Sequence, residues 1–221
     1  MICMTNSHSG DWWRPLLQPP DEHGKRRAAL LHAAFDVVAQ AGFEGLRTRA
    51  VATRAGVNIA TLHYYFPSKQ DLIEGLAELI GAKFVTVHGP APRPSVFPAL
   101  DRLRQEFSDS RFYLKHHPEM LLVMQEFILR GKRDPEVQKI SDQIIAHWRD
   151  GIERMVQEGI ADGSFRDDIP PREMFPLLMS IFTGIAAAGA GQIDTIERNT
   201  ENWILSPKAK KKLAKPQGGK Q

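Results

Sequence analysis

The sequence predicts an all-α protein of about nine helices, on three observations. Apolar residues recur three and four positions apart in segment after segment, as Leu31, Ala34, Phe35 and Val38 do and as Leu72, Ile73, Leu76, Leu79 and Ile80 do, which is the period of a helix with one buried face. Those segments are bounded by residues that start and stop helices, among them Gly42, Gly56, Asn58, Ser68, Pro118, Pro171 and Gly163. No stretch has the alternation of a strand, and neither a hairpin turn nor an internal repeat stands out.

Taken in order, residues 1–22 carry Pro15, Pro19 and Pro20 without an apolar period and read as a flexible arm. A first helix of about 17 residues follows from Lys25 and stops at Gly42 and Phe43. Val51, Ala52 and Ala55 share one face of a short second helix, Gly56 suits the left-handed exit from it, and Asn58 suits the N-cap of a third that runs over Ile59–Tyr65. Ser68 with Asp71 three positions on is a capping-box variant that opens the fourth. The run from Gly89 to Pro98 then breaks all periodicity and marks a boundary between an N-terminal head and a larger body. In the body, Phe97, Leu100, Leu103 and Phe107 mark one helix, and Pro118 opens another that is apolar nearly all round from Met120 to Leu129, as expected of a helix buried in a bundle. Asp134 and Pro135 start a third that ends at Gly163, Pro171 starts a fourth that reaches the small-residue run GIAAAGAG, and a shorter helix follows Asp194.

Composition narrows the setting. The 221 residues suffice for a substantial core, with 42% hydrophobic residues and no apolar run long enough to span a bilayer. The first residues lack the basic-then-apolar pattern of a secretory leader, and Cys3, the single cysteine, allows no internal disulfide and no Cys-rich zinc site. A cytoplasmic protein with no membrane partner is expected. The net charge of +3 is misleading: residues 207–221 hold six of the 29 basic residues and no acid, so the rest of the chain carries 23 basic against 26 acidic groups, a net of −3. Such a tail reads as solvated, and it is not counted as a nucleic-acid signal.

Function lies in the segment from Thr48 to Lys69. In its second short helix only Leu62 and Phe66 are spaced to reach the small-residue face of the first, so Ile59, Ala60, Thr61, His63, Tyr64 and Tyr65 share the outer faces. A core helix would not leave so many side chains outside. Two short helices joined by a tight turn, the second presenting its N-terminal residues, are the device that enters the major groove of DNA. Ile59 and Ala60 make the centre of that surface apolar and complementary to thymine methyls.

With AGF at Ala41–Phe43, VA at Val51–Ala52, AGV at Ala55–Val57, TLHYYF at Thr61–Phe66 and SKQDL at Ser68–Leu72, residues 35–76 resemble the N-terminal domain of the TetR family of bacterial transcriptional regulators. The resemblance fades after about residue 85, as it does among relatives whose bodies diverge with their ligands. It implies a homodimer on a nearly palindromic double-stranded operator, usually as a repressor, with an unknown small apolar or amphipathic effector entering the body and moving the two heads apart. It divides the chain into an arm (1–22), a helix-turn-helix domain (23–70), a ligand-binding and dimerisation body (71–206, with 71–88 the connecting helix) and the Lys-rich tail (207–221). It implies phosphate contacts from Thr48 and Lys69, a base-edge contact from Arg49, and a base-facing stretch containing Asn58, Ile59, Ala60, Thr61 and Tyr64. His63 stands where the family most often has a tyrosine that touches the DNA backbone. Imidazole can also donate to phosphate, in a pH-dependent way, and Tyr64 or Tyr65 can substitute for it. Tyr65 fits core packing equally well, and Arg47 and Arg54 read as surface charge.

In the body, Phe107, Met120, Met124, Phe127, His147, Trp148, Met155, Phe175 and Met179 suit either a core or a pocket for an apolar ligand. By the same resemblance, Phe182, Gly184, Ala187, Ala188 and Gly191 are expected at the dimer interface, where the small residues would let helix backbones approach. The run GIAAAGAG lacks both the order and the preceding strand of a phosphate loop. His116, His117 and Glu119 straddle a helix-starting proline with no further ligands nearby, so neither a metal nor a cofactor is expected, and no nucleophile motif points to an enzyme. The other reading, a helical small-molecule binding or catalytic protein whose helix-turn-helix no longer reads DNA, has Arg49, Thr61 and Lys69 against it.

Overall fold

The computed structural model describes residues 21–86 and 88–214, apart from the side chains of Val85, Ile144, His147, Ala187 and Ala190. The expected arm thus lies outside the described residues up to residue 20, as does the tail from residue 215. Ten α-helices are described: α1 (Glu22–Gly45), α2 (Thr48–Arg54), α3 (Ile59–Tyr65), α4 (Lys69–Thr86), α5 (Pro98–His116), α6 (Pro118–Gly131), α7 (Pro135–Ala161), α8 (Pro171–Ala188), α9 (Ile193–Ile204) and α10 (Pro207–Leu213), with a 3-10 turn at Ala190–Gln192. The only extended pairing among the described residues is an isolated bridge between Phe165 and Leu205. None of the described helices is long and apolar enough to cross a membrane.

These elements form two compact units, and the division differs from a break at residue 70. The described residues up to His88 group with His117–Ala146, whereas Gly89–His116 groups with the described residues from His147 onward. The head unit therefore contains α6 and the first part of α7 besides α1–α4. Its core is built as the periodicity predicts: Leu30, Leu31, Ala34, Phe35 and Val38 from α1 meet Leu72, Leu76, Leu79 and Ile80 from α4, all nearly or fully buried. Asp21 caps α1 by accepting from the Gly24 N–H at 2.7 Å, so the helix begins three residues before Lys25. Gly42, with φ 62° and ψ −175°, breaks α1 where the stop was expected, and a last turn to Gly45 follows the break.

Helix α6 is not buried all round. Its Val123 and Phe127 face is sealed, the Phe127 ring meeting the Phe43 ring edge-on at 4.9 Å, while Leu122 and Leu129 on the other side are half exposed. An apolar run without a polar face cannot say which side the fold will cover, and here α1 packs on the Phe127 side while the Ser141 hydroxyl of α7 donates to the Phe127 carbonyl at 3.2 Å.

The body unit packs α5, the second part of α7, α8, α9 and α10 around Leu100, Leu103, Phe107, Ile152, Met155, Leu178, Phe182, Ile185 and Ile204. Two arginines of α5 fasten α9: Arg104 makes a two-pronged bridge to Glu201 at 2.6 and 2.9 Å, and Arg111 bonds Asp194 at 2.7 Å and Glu197. The first half of the expected tail is itself a helix. Ser206 caps α10 by accepting from the Ala209 N–H at 3.0 Å, Pro207 occupies its first turn, and Ala209 is fully buried. The Ser-Pro pair was the local signal for it; the six lysines masked it.

Gly159 of α7 lies directly under the buried Phe165 ring, so a methyl there would overlap the ring. Gly159→Ala should destabilise the body by about 1–3 kcal/mol through overpacking, despite alanine's better helix propensity. Chemical denaturation of the two proteins measures the difference, and a neutral or stabilising effect would contradict this packing.

Candidate nucleic-acid interface

The two motif helices have seven residues each, and helices so short do not persist on their own. Burial holds them. Val51 and Ala52 of α2 and Leu62 of α3 are at most 3% exposed, and Phe66 closes the end of α3 with its N–H bonded to the Leu62 carbonyl at 2.8 Å. The Arg27 guanidinium lies 5.4 Å over the Phe66 ring and bonds Glu78 at 3.1 Å, tying α1, the end of α3 and α4 together. Between the helices Gly56 takes φ 66°, the left-handed exit its sequence position required.

With Leu62 turned inward, α3 presents the rest of itself to solvent. Tyr64 is 72% and Ile59 41% exposed, Ala60 and His63 are exposed, and Thr61 and Tyr65 are half-buried. Arg49 and Lys69 are exposed and make no ion pair among the described residues, and Thr48 at the start of α2 is half-buried. Arg54 is engaged instead, at 2.9 Å from Asp36. Tyr65 belongs to a small aromatic group that neither of its expected roles included. His23 of α1 lies 4.7 Å from the Tyr65 ring and 6.1 Å from Tyr64, and the two tyrosines meet edge-on at 5.1 Å. Nothing local in the sequence joins positions 23 and 65; only the fold of α1 across α3 does.

Both caps form. Asn58 Oδ1 accepts from the Thr61 N–H at 2.7 Å and from the Thr61 hydroxyl at 3.0 Å, so one oxygen starts α3 and orients the Thr61 side chain. At the start of α4, Asp71 accepts from the Ser68 N–H at 2.8 Å while the Ser68 hydroxyl accepts from the Asp71 N–H at 3.1 Å. Hydrogen bonding from the Ser68 hydroxyl, then from its N–H, holds the Asp71 carboxyl below the ordinary carboxylate range. The sign follows: the cap is complete above the ordinary carboxylate pKa and is lost only as pH falls through the lowered value. Lys69, the first residue of α4, is thereby held at a fixed helix start.

The nine residues expected around a ligand separate. Phe107 and Met155 are buried in the body core, with Trp148 and Phe175 packed against it, and Met179 is half-buried on α8. Met120, Met124 and Phe127 belong to the head unit instead, Phe127 as the partner of Phe43; the side chain of His147 lies outside the described residues. Phe182, expected at the dimer interface, turns inward, its ring 5.1 Å from Phe107 and 5.8 Å from Trp148. Gly184, Ala188 and Gly191 are exposed, and the Ala187 side chain is outside the described set.

A buried two-helix scaffold, an outward second helix and, at both flanks, cations with no ion pair among the described residues are the parts of a helix-turn-helix regulator of transcription. Residues 30–76 match the model of the bacterial regulatory proteins of the tetR family. The helix-turn-helix segment of the chain is thus similar to the N-terminal domain of that family. It is 24% identical over 148 residues to the transcriptional repressor KstR2 of Mycobacterium tuberculosis, covering 65% of this chain and 71% of that one. To the transcriptional regulator RutR of Escherichia coli it is 47% identical over 47 residues, 21% of this chain and 22% of the relative. Its fold resembles that of Salmonella enterica GusR, with a TM-score of 0.69, 18% identity and coverage of 83% of this chain and 95% of the other.

Asn58 allows capping to be separated from DNA contact. Asn58→Ala should cost about 1 kcal/mol of stability, whereas Asn58→Asp should keep the cap, hold stability within about 0.5 kcal/mol, and weaken binding to any duplex by placing an anion beside the phosphates. Thermal melts and electrophoretic shifts of the two variants report the two effects. Equal stability losses in both would remove the cap from its assigned role.

Proposed function

We propose that this chain is a homodimeric, cytoplasmic repressor that binds a nearly palindromic operator and releases it when a small apolar or amphipathic molecule enters the body. The observation that carries the DNA half of this reading is the outward face of α3, held by Leu62 and Phe66 and flanked by Arg49 and Lys69. Arg49 meets a base edge, Thr48 and Lys69 meet phosphates, and Ile59, Ala60, Thr61 and Tyr64 line the groove, with His63 or Tyr65 on the backbone. The reading head lies within residues 23–70 and takes its rigidity from α4 and α6.

For the effector, the supporting observation is Trp148. Its indole nitrogen is buried and has no hydrogen-bond partner among the described residues, beside the Phe182 and Phe107 rings. A buried donor without a partner is costly, and an acceptor on an otherwise apolar ligand would satisfy it. For dimerisation, Leu177, Gly184 and Ala188 share one exposed face of α8 at the spacing of two helical turns and more. We assign that face, with α9, to the partner protomer.

Selection of duplexes from a random pool by the wild-type protein gives the operator and its symmetry. On that operator, Arg49→Ala should lose about 1–3 kcal/mol of binding while random DNA loses much less; equal loss on both would dismiss the base contact. Lys69→Ala should weaken binding to all sequences and lower the salt slope by about one unit of log affinity per log salt. Unchanged slope would dismiss the phosphate contact.

Gly184 offers a separate test of the dimer. A Cβ built there meets nothing within 4 Å in the protomer, so Gly184→Leu should leave the protomer's fold intact and improve its helix propensity by about 0.5–1 kcal/mol. In a close-packed dimer the same side chain should weaken association about tenfold or more. Sedimentation across a dilution series decides, and an unaltered dimer would place the interface elsewhere.

A further inference from the structure

Two successive residues at the end of α1, Phe43 and Glu44, are held by α6, and Gly42 before them passes close to it. Gly42 takes a left-handed φ of 62°, and the Cβ it lacks would sit 2.9 Å from a carboxylate oxygen of Glu126. The backbone break at Gly42 withdraws the Phe43 N–H from the regular ladder of α1, and the same Glu126 Oε2 accepts from it at 3.1 Å. Next to it the buried Phe43 ring abuts Phe127 at 4.9 Å. Glu44 then accepts from Arg130 at 3.2 Å, with the guanidinium oriented by Asp134 at 3.1 Å. From this elbow only Gly45, Leu46 and Arg47 remain before Thr48 opens α2. They are constrained in turn, by Leu46 N–H to Phe43 carbonyl at 3.2 Å and Arg47 N–H to Gly45 carbonyl at 2.7 Å.

We infer that Glu126 is a positioning residue for DNA binding: by capping the Phe43 N–H from α6, it fixes the elbow of α1 and hence the placement of Thr48 and Arg49. This rests on the reading above that the face of α2 and α3 binds DNA. The physical case has two parts. The N–H of a helix stop in a half-buried setting has to be satisfied, and a carboxylate is the strongest acceptor a side chain can bring to it. The acceptor comes from an element 83 residues away in the chain, so the cap holds only in one placement of α6 against α1. A shift of α6 breaks it and frees the lead-in to α2, although no residue of α6 belongs to the assigned DNA surface. Glu126 touches no DNA in this scheme. Its substitution changes how the reading residues are held.

The test uses the full-length protein and the duplex selected by wild type from a random pool. Glu126→Ala should reduce operator affinity about tenfold, the loss of one charge-assisted hydrogen bond, without altering the salt slope, because no phosphate contact is removed. Hydrogen exchange at the Phe43 amide should accelerate at least about tenfold, with the α1 core amides of Leu31 and Phe35 unchanged. Glu126→Gln keeps a carbonyl oxygen at the same reach and should restore both readouts to within about threefold. Should the alanine variant fail to fold, Glu126→Asp, one methylene too short for the cap, takes its place against Glu126→Gln. Faster exchange with unchanged operator affinity overturns the positioning role, as does a glutamine variant as impaired as alanine. If wild type selects no duplex at all, the DNA reading falls and this role falls with it; if wild type selects one and Glu126→Ala holds it equally well, only the role of Glu126 falls.

Discussion

A seven-residue helix in water has too few internal hydrogen bonds to offset the cost of its first turn, and the recognition surface consists of two such helices. Everything that α3 offers to a partner therefore depends on the burial of Leu62 and Phe66 against a core already completed by α1 and α4. This imposes a division within one short element. Positions that point inward are aliphatic or aromatic and sealed, and of the outward ones Ile59, Ala60, His63 and Tyr64 stay exposed while Tyr65 stacks on His23. An exposed Tyr64 beside an exposed Ile59 would be a poor arrangement for a helix whose only task is stability.

The body is held by other means. Its apolar core does most of the work, and the surface ion pairs such as Arg102 with Glu158 add little in high dielectric. Arg104 is the exception worth separating out, since it engages both oxygens of a Glu201 side chain that is largely shielded from water. Its hydrogen bonds to Glu201 raise the guanidinium's affinity for its proton against the opposing effect of burial. That contact and the bridge from Arg111 join α5 to α9, so the helix assigned to the partner protomer is fixed to the core by polar contacts at both ends.

What the sequence made legible was local. The Gly42 stop, the Gly56 exit, the Asn58 cap and the Ser68–Asp71 box are each written in three or four adjacent residues, and each forms where the chemistry required it. The outward set on α3 was legible too, because a single helical period separates Leu62 and Phe66 from their neighbours. Long-range geometry was not. The side of α6 that is covered, the placement of Phe127 against Phe43 and of Phe182 against Phe107, and the stacking of His23 on Tyr65 depend on which elements meet. Met and aromatic residues suit a pocket and a core for the same reason, their adaptable apolar bulk, so composition could not assign Met120 and Phe127 to the head. In the tail, lysine-rich composition concealed a Ser-Pro helix start whose buried face is one alanine and one leucine wide.

The two hydrogen bonds that Asn58 Oδ1 accepts limit what Thr61, in its proposed role, can offer to a base pair. Its hydroxyl proton is committed to Asn58 Oδ1, so only lone pairs remain to be offered outward. Lone pairs are complementary to the amino groups of adenine and cytosine, and opposed to the paired acceptors that guanine presents. An exposed capping residue thus sets the hydrogen-bonding polarity that Thr61 presents, and under the proposed DNA reading exchanging the cap would change what the helix can recognise without replacing Thr61 itself.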